Sequence, residues 1–113
     1  MDIMAEIKKI ESLEEFNAFV SGGDTLNVIK CSASWCGPCR ALSQVIKNLS
    51  EEDVDGVLLG EIDVDDEWVD DIVSELKIRG VPVIIAYKGG VEVDRVVGLV
   101  QKDALKEFFE RNK

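Results

Sequence analysis

Residues 35–39 read Trp-Cys-Gly-Pro-Cys, and this stretch pins one point of any fold the chain can adopt. Cys36 and Cys39 are three positions apart, close to one helical turn, so at a helix start both sulfurs lie on one side. Pro38 suits the first turn of a helix, where its missing N–H costs nothing. A helix is therefore expected to begin here, with Cys36 at its N-terminus. Unpaired N–H groups and the helix dipole at that end favour a thiolate, which is the form of cysteine that attacks disulfides. The motif supplies a nucleophile, a second thiol to resolve its product, and a means of activating the first.

Blander readings of the pair fit less well. Two inert buried thiols are common enough in cores, but that reading leaves Trp35, Gly37 and Pro38 without a reason. A structural zinc site needs four Cys or His ligands, and the chain has 3 cysteines and no histidine. A four-cysteine iron–sulfur cluster fails by the same count for one chain. No metal is expected. The odd cysteine, Cys31, ends an apolar run and reads as core, the alternative being a regulatory thiol.

At 113 residues the chain is long enough for one domain with a real core and too short for two, so residues 1–113 are read as one domain. A net charge of −10 argues against nucleic acid and anionic membranes as partners. The first nine residues, Met-Asp-Ile-Met-Ala-Glu-Ile-Lys-Lys, carry an early acid and no apolar segment, unlike a secretory leader. The longest apolar run, Val81 to Tyr87, is too short to cross a bilayer. The expected location is cytoplasmic, where structural disulfides are rare. The Asn48-Leu49-Ser50 sequon then reads as chance.

The apolar periodicity gives the elements. Glu6 to Ile10 is a short first strand. Ser12 and Glu15 form a capping-box pattern ahead of a helix whose apolar face is Leu13, Phe16, Phe19 and Val20, and Ser21-Gly22-Gly23-Asp24 stops it. Leu26 to Cys31 is a strand interrupted by Asn27 and Lys30. After the motif a helix runs to about Glu52 with Leu42, Val45, Ile46 and Leu49 on one face. Val57 to Val64 is a strand, and Trp68, Ile72, Val73 and Leu76 recur at helical spacing, with Trp68 in the core. Val83 to Tyr87 is continuously apolar, as in a central strand. Lys88-Gly89-Gly90 turns into a strand from Val91 to Val97, and Ala104, Leu105, Phe108 and Phe109 mark a closing helix. The order β-α-β-α-β-α-β-β-α implies parallel crossovers followed by a hairpin, hence an α/β fold with a mixed sheet.

Over nearly its whole length the chain resembles the thioredoxins. The residues that carry the likeness are Trp35-Cys36-Gly37-Pro38-Cys39, Arg79-Gly80-Val81-Pro82, the Lys88-Gly89-Gly90 turn and Gly98. The resemblance implies the thioredoxin fold, a central mixed five-stranded sheet flanked by four helices. It implies protein-disulfide reductase activity, with Cys36 attacking a substrate disulfide and Cys39 resolving the mixed disulfide. It implies no cofactor beyond the Cys36–Cys39 disulfide itself, and Gly37-Pro38 between the cysteines as a redox-tuning pair that favours reduction. The Val81-Pro82 peptide is expected to be cis and to lie beside the thiols, where its backbone pairs with substrate. Trp35 and Gly98 would complete the docking rim, the alternative for Trp35 being core packing. The implied partners are disulfide-containing proteins and a thioredoxin reductase, met by a monomer.

The chain also departs from the family pattern. Thioredoxins commonly carry a buried aspartate six residues before the first cysteine, with a lysine on the neighbouring strand. Here those positions hold Lys30 and Glu61. A buried lysine needs a partner, so a semi-buried Lys30–Glu61 ion pair is expected beneath the thiols. A cation near Cys39 would favour its thiolate and make the protein more oxidising; the alternative is a Lys30 that reaches solvent. Cys31 and Ser32 replace aromatic residues, Gln44 stands where a helix proline is frequent, and the segment from Asp65 to Pro82 is about two residues longer than usual.

Two other functions stay open on the residues. One is a thiol oxidase or isomerase, toward which Lys30 points. The other is a non-catalytic binding subunit that docks through an acidic face containing Asp63, Asp65, Asp66, Glu67, Asp70 and Asp71, a run that also reads as plain solvated surface.

Overall fold

Five consecutive apolar residues from Val83 to Tyr87 suit a strand covered on both faces, and all five are buried in one. The structure, a computed structural model, describes residues 6–113. The leader reading rests partly on residues 1–5, which lie outside that range. The elements in order are β1 (Lys8–Lys9), α1 (Leu13–Val20), β2 (Leu26–Ser32), α2 (Gly37–Lys47), β3 (Val57–Asp63), a 3-10 turn (Glu67–Val69), α3 (Asp70–Leu76), β4 (Val83–Lys88), β5 (Val91–Val97) and α4 (Lys102–Asn112).

The sheet order is β1-β3-β2-β4-β5. β3 runs parallel to both β1 and β2. β4 runs antiparallel to β2, and β5 to β4, so the sheet is mixed as expected. Parallel β2 and β3 need a crossover, which α2 supplies. The β4–β5 hairpin closes through Gly89 and Gly90 at φ 56° and 84°, the left-handed pair that a tight two-residue turn demands.

Side-chain alternation divides the core into two layers. Leu26 and Val28 of β2 with Ile84 and Ala86 of β4 face α2 and α4, meeting Leu42, Ile46, Leu105, Phe108 and Phe109. Ile29 and Cys31 with Val83, Ile85 and Tyr87 face the opposite side, meeting Phe16 and Val20 of α1 and Ile72 of α3. Each fully buried Leu, Ile or Phe contributes about 1.5–3 kcal/mol, so the paired layers hold the sheet from both sides. Trp68 joins the second layer half-buried, 6.4 Å from the Phe16 ring centroid.

Several boundaries differ from the sequence expectations, for local reasons. β1 is shorter than Glu6–Ile10, although the Ile10 N–H still donates to the Glu61 carbonyl. β2 continues one residue past Cys31, and β3 stops at Asp63, before Val64. α2 ends at Lys47, not near Glu52, because Ser50 and Asp53 turn the chain through reciprocal side-chain bonds of 2.9 and 3.2 Å. The segment bearing Trp68 begins as 3-10 and becomes α-helical only at Asp70. At α1, Ser12 Oγ accepts the Glu15 N–H at 3.1 Å, but the Glu15 carboxylate reaches the Glu11 N–H rather than that of Ser12.

Candidate active site

The site assembles at one end of the sheet. The C-terminal ends of β2, β3 and β5 and the N-terminal end of β4 meet there, because β4 enters antiparallel to β2. β2 leads through Ala33, Ser34 and Trp35 to Cys36, which is the N-cap of α2 at φ −93° and ψ 112°. Gly37 and Pro38 occupy the exposed first turn. Cys36 Sγ accepts the Cys39 N–H at 3.1 Å, so the sulfur itself fills the capping role that Ser or Asp plays elsewhere. The two cysteines are disulfide-bonded with their Cα atoms 5.3 Å apart. Both cysteines are nearly covered, with 4% of Cys36 and 2% of Cys39 exposed.

The Val81–Pro82 peptide is cis. It sets the Val81 carbonyl oxygen 3.8 Å from Cys36 Sγ, and Pro82 offers no N–H at this edge. The Gly98 N–H donates to the Pro82 carbonyl at 2.8 Å, tying the end of β5 to the same loop. Trp35 is 68% exposed, which removes the core-packing alternative, and its Nε1–H donates to Asp65 Oδ2 at 2.8 Å. Beside it lies an apolar depression of about 210 Å³ lined by Trp35, Val64, Val73, Ile78 and Val81, with Arg79 at its edge.

Lys30 does not reach solvent. It is 3% exposed, and its Nζ donates to Glu61 Oε2 at 2.7 Å and to Ser43 Oγ at 2.5 Å. The parallel register places Lys30 directly beside Glu61, which is what makes the pair possible. Ser32 Oγ donates to the same carboxylate oxygen at 3.0 Å, and Ser43 Oγ donates to the Cys39 carbonyl at 3.2 Å. Together with Cys39 these groups line a cavity of about 250 Å³. Cys31 points into the opposite core layer, fully buried, and burial pushes its thiol up to about 12. Among the described residues no cluster of His, Cys, Asp or Glu is arranged to hold a metal ion.

Three participants were not singled out from the sequence. Ser43 is one turn beyond Cys39, and that i+4 spacing is the only signal it gives. Ser32 alternates with Lys30 on one face of β2, a period-2 signal. Asp65 belonged to an acidic run, and nothing in the run distinguishes it from its neighbours.

Comparison with known proteins agrees with this geometry. The family model described as Thioredoxin matches residues 7–111. The thioredoxin of Chlamydia caviae is 41% identical over 104 residues, spanning 92% of this chain and 97% of that protein. Thioredoxin-2 of Saccharomyces cerevisiae is 35% identical over 106 residues, spanning 94% and 98%. Among solved structures, the thioredoxin of Malassezia sympodialis superposes with a TM-score of 0.82 at 30% identity, covering 96% of this chain and 93% of that one. A mutant thioredoxin from Halobacterium salinarum gives 0.81 at 32% identity, covering 94% and 89%.

Proposed function

Because this chain belongs to the thioredoxin family and carries a disulfide-forming Cys36–Cys39 pair, we propose that it serves as a reductant of disulfides in other proteins. Dithiol–disulfide exchange is the activity of the pair, and the redox-active disulfide is its own electron store.

In the reduced protein Cys36 is the nucleophile. Its place at the start of α2, with the Cys39 N–H aimed at its sulfur, favours the thiolate. The thiolate attacks one sulfur of the substrate disulfide. A bond forms from Cys36 to that sulfur, the substrate S–S bond breaks, and the electron pair leaves on the other substrate sulfur, which takes a proton. Cys39 then gives up its proton and attacks Cys36 Sγ. The Cys36–Cys39 bond forms, the bond to substrate breaks, and the second substrate thiol departs. Two electrons have moved from the pair to the substrate, and a thioredoxin reductase restores them.

The observation that carries this reading is the edge beside Cys36. A Val81 carbonyl facing Cys36 Sγ, a prolyl nitrogen with no competing N–H, the nearby Gly98 backbone and an exposed Trp35 suit an extended substrate strand. Gly37-Pro38 supports the reductive direction by likeness to the family. A buried, unpaired Cys31 fits a reducing compartment, and we take the protein to act in the cytosol as a monomer.

Reduction of insulin disulfides with dithiothreitol as donor tests the reading. Wild type should accelerate the reaction, and Cys36→Ser should return it to the uncatalysed rate. Equal activity of the two proteins would refute it.

A further inference from the structure

Lys30 is the most deeply buried charge in the described chain, and the exchange steps above do not use it. It stands on the α2 face of β2, within hydrogen-bond reach of both the Glu61 carboxylate and Ser43. Ser43 bonds in turn to the backbone of Cys39, and the cavity that Lys30 lines is the one into which Cys39 opens. Lys30 is itself shielded from solvent, so its charge acts on a neighbouring sulfur with less screening than that of a surface cation.

We propose that Lys30 is a positioning residue for the Cys39 thiolate and that Glu61 moderates it, the two setting the redox poise with opposite signs. The proposal rests on the exchange reading and deepens it. When two glutathione thiols reduce the disulfide, the Cys36–Cys39 bond breaks, two electrons enter the pair and glutathione disulfide forms. Cys39 is released as a thiolate, which either stays ionised or takes up a proton to become a thiol. Lys30 favours the thiolate, so it stabilises the reduced state and makes the pair a stronger oxidant. Glu61 accepts the Lys30 hydrogen bond on its outer side and offsets part of that field. Ser43, in the middle of α2, holds the ammonium against that helix.

The remaining charges around the cavity are placed less favourably. Lys9 from β1 and Arg40 from α2 line it from exposed positions, and the Arg40 guanidinium is engaged with the Ser34 carbonyl at 3.1 Å. Asp63 is half-buried at the end of β3. Glu6 and Lys47 stand beyond Glu61 on its outer flank. Solvent reaches all of these more readily than Lys30, so they contribute less to the field at Cys39.

The pH dependence separates this role from a structural one. A neutral thiol gains little from a nearby cation, so the effect is absent where Cys39 is protonated and grows once it ionises. The experiment equilibrates wild type, Lys30→Met and Glu61→Gln with glutathione at one pH below and one above the ordinary free-thiol value of about 8.5. At the higher pH, Lys30→Met should be harder to reduce by about tenfold in the equilibrium constant, which is about 30 mV for a two-electron couple. Glu61→Gln should shift in the opposite direction, and all three proteins should converge at the lower pH. The Cys39 thiolate titration should move up in Lys30→Met and down in Glu61→Gln. Coincident potentials at high pH, shifts of one sign in both variants, or shifts equal at both pH values would overturn the proposal while leaving exchange intact. If Lys30→Met does not fold, the sign of the Glu61→Gln shift decides alone. A wild type that never equilibrates with glutathione would overturn the exchange reading itself, and this proposal with it.

Discussion

Cys31 and Cys36 stand close together in the chain and share one intrinsic chemistry, yet the fold gives them opposite fates. Cys31 lies in a core layer among Ile29, Ile62 and Val83, where burial pushes its thiol up to about 12. Cys36 caps a helix, its sulfur accepts an N–H, and it keeps 4% of its surface exposed where Cys31 keeps none. The thiolate is the reactive form, so the two should differ in rate by orders of magnitude at neutral pH. Iodoacetamide added to the reduced native protein should label Cys36 promptly and spare Cys31, which reacts only after denaturation. Equal labelling in the native state would contradict the burial argument. Residue-level legibility followed chemistry. Cys36, Cys39 and Trp35 are rare residue types in a tight pattern, so they could be named from sequence, whereas Pro82 was named only through the family likeness. Ser43 and Asp65 are common types whose roles depend on what they face, which only the folded geometry supplies.

At the scale of elements, β3 shows how a small residue positions the site. Gly60 lies buried on the α1 side, and a Cβ there would stand 2.8 Å from Ile10 Cδ1 and 3.0 Å from Phe19 Cζ. Neighbouring Glu61 faces the opposite layer, so a push on Gly60 displaces the strand that carries the partner of Lys30. Gly60→Ala should cost about 1–3 kcal/mol of stability through overpacking. Urea denaturation should show a lower midpoint with an unchanged slope, and an unchanged midpoint would show that Ile10 and Phe19 yield freely. The type of every element except the 3-10 turn was legible, because length and flanking residues decide where period does not: Val83–Tyr87 is too short for a typical helix and is bounded by Pro82 and Gly89-Gly90. Ends were less legible. Nothing in the apolar pattern of α2 announces a stop at Lys47, since Leu49 remains in phase and is buried beyond the helix end. The Ser50–Asp53 turn that ends it uses residues that also occur inside helices.

Across the whole molecule, alternating strands and helices followed by a Gly-Gly hairpin implied a mixed sheet, and the family likeness supplied five strands with four helices. The order β1-β3-β2-β4-β5 is what places the C-terminal end of β2 beside the N-terminal end of β4, and so Cys36 beside Pro82. Cys36 and Pro82 are far apart in sequence, and that topology is what brings them together. The charge reversal at Lys30 and Glu61 was visible as two unexpected residue types, and the parallel register turned them into a contact.

The most direct test of the account is the trapping of a mixed disulfide. Cys39→Ser, reduced and exposed to an oxidised protein substrate, should accumulate a covalent complex, and peptide mapping should place the substrate on Cys36. Cys36→Ser under the same conditions should trap little or nothing, with Cys31 silent in both. Capture through Cys39 at a comparable rate in Cys36→Ser, or substrate attached to Cys31, would contradict the assignment of nucleophile and resolving thiol on which the mechanism stands.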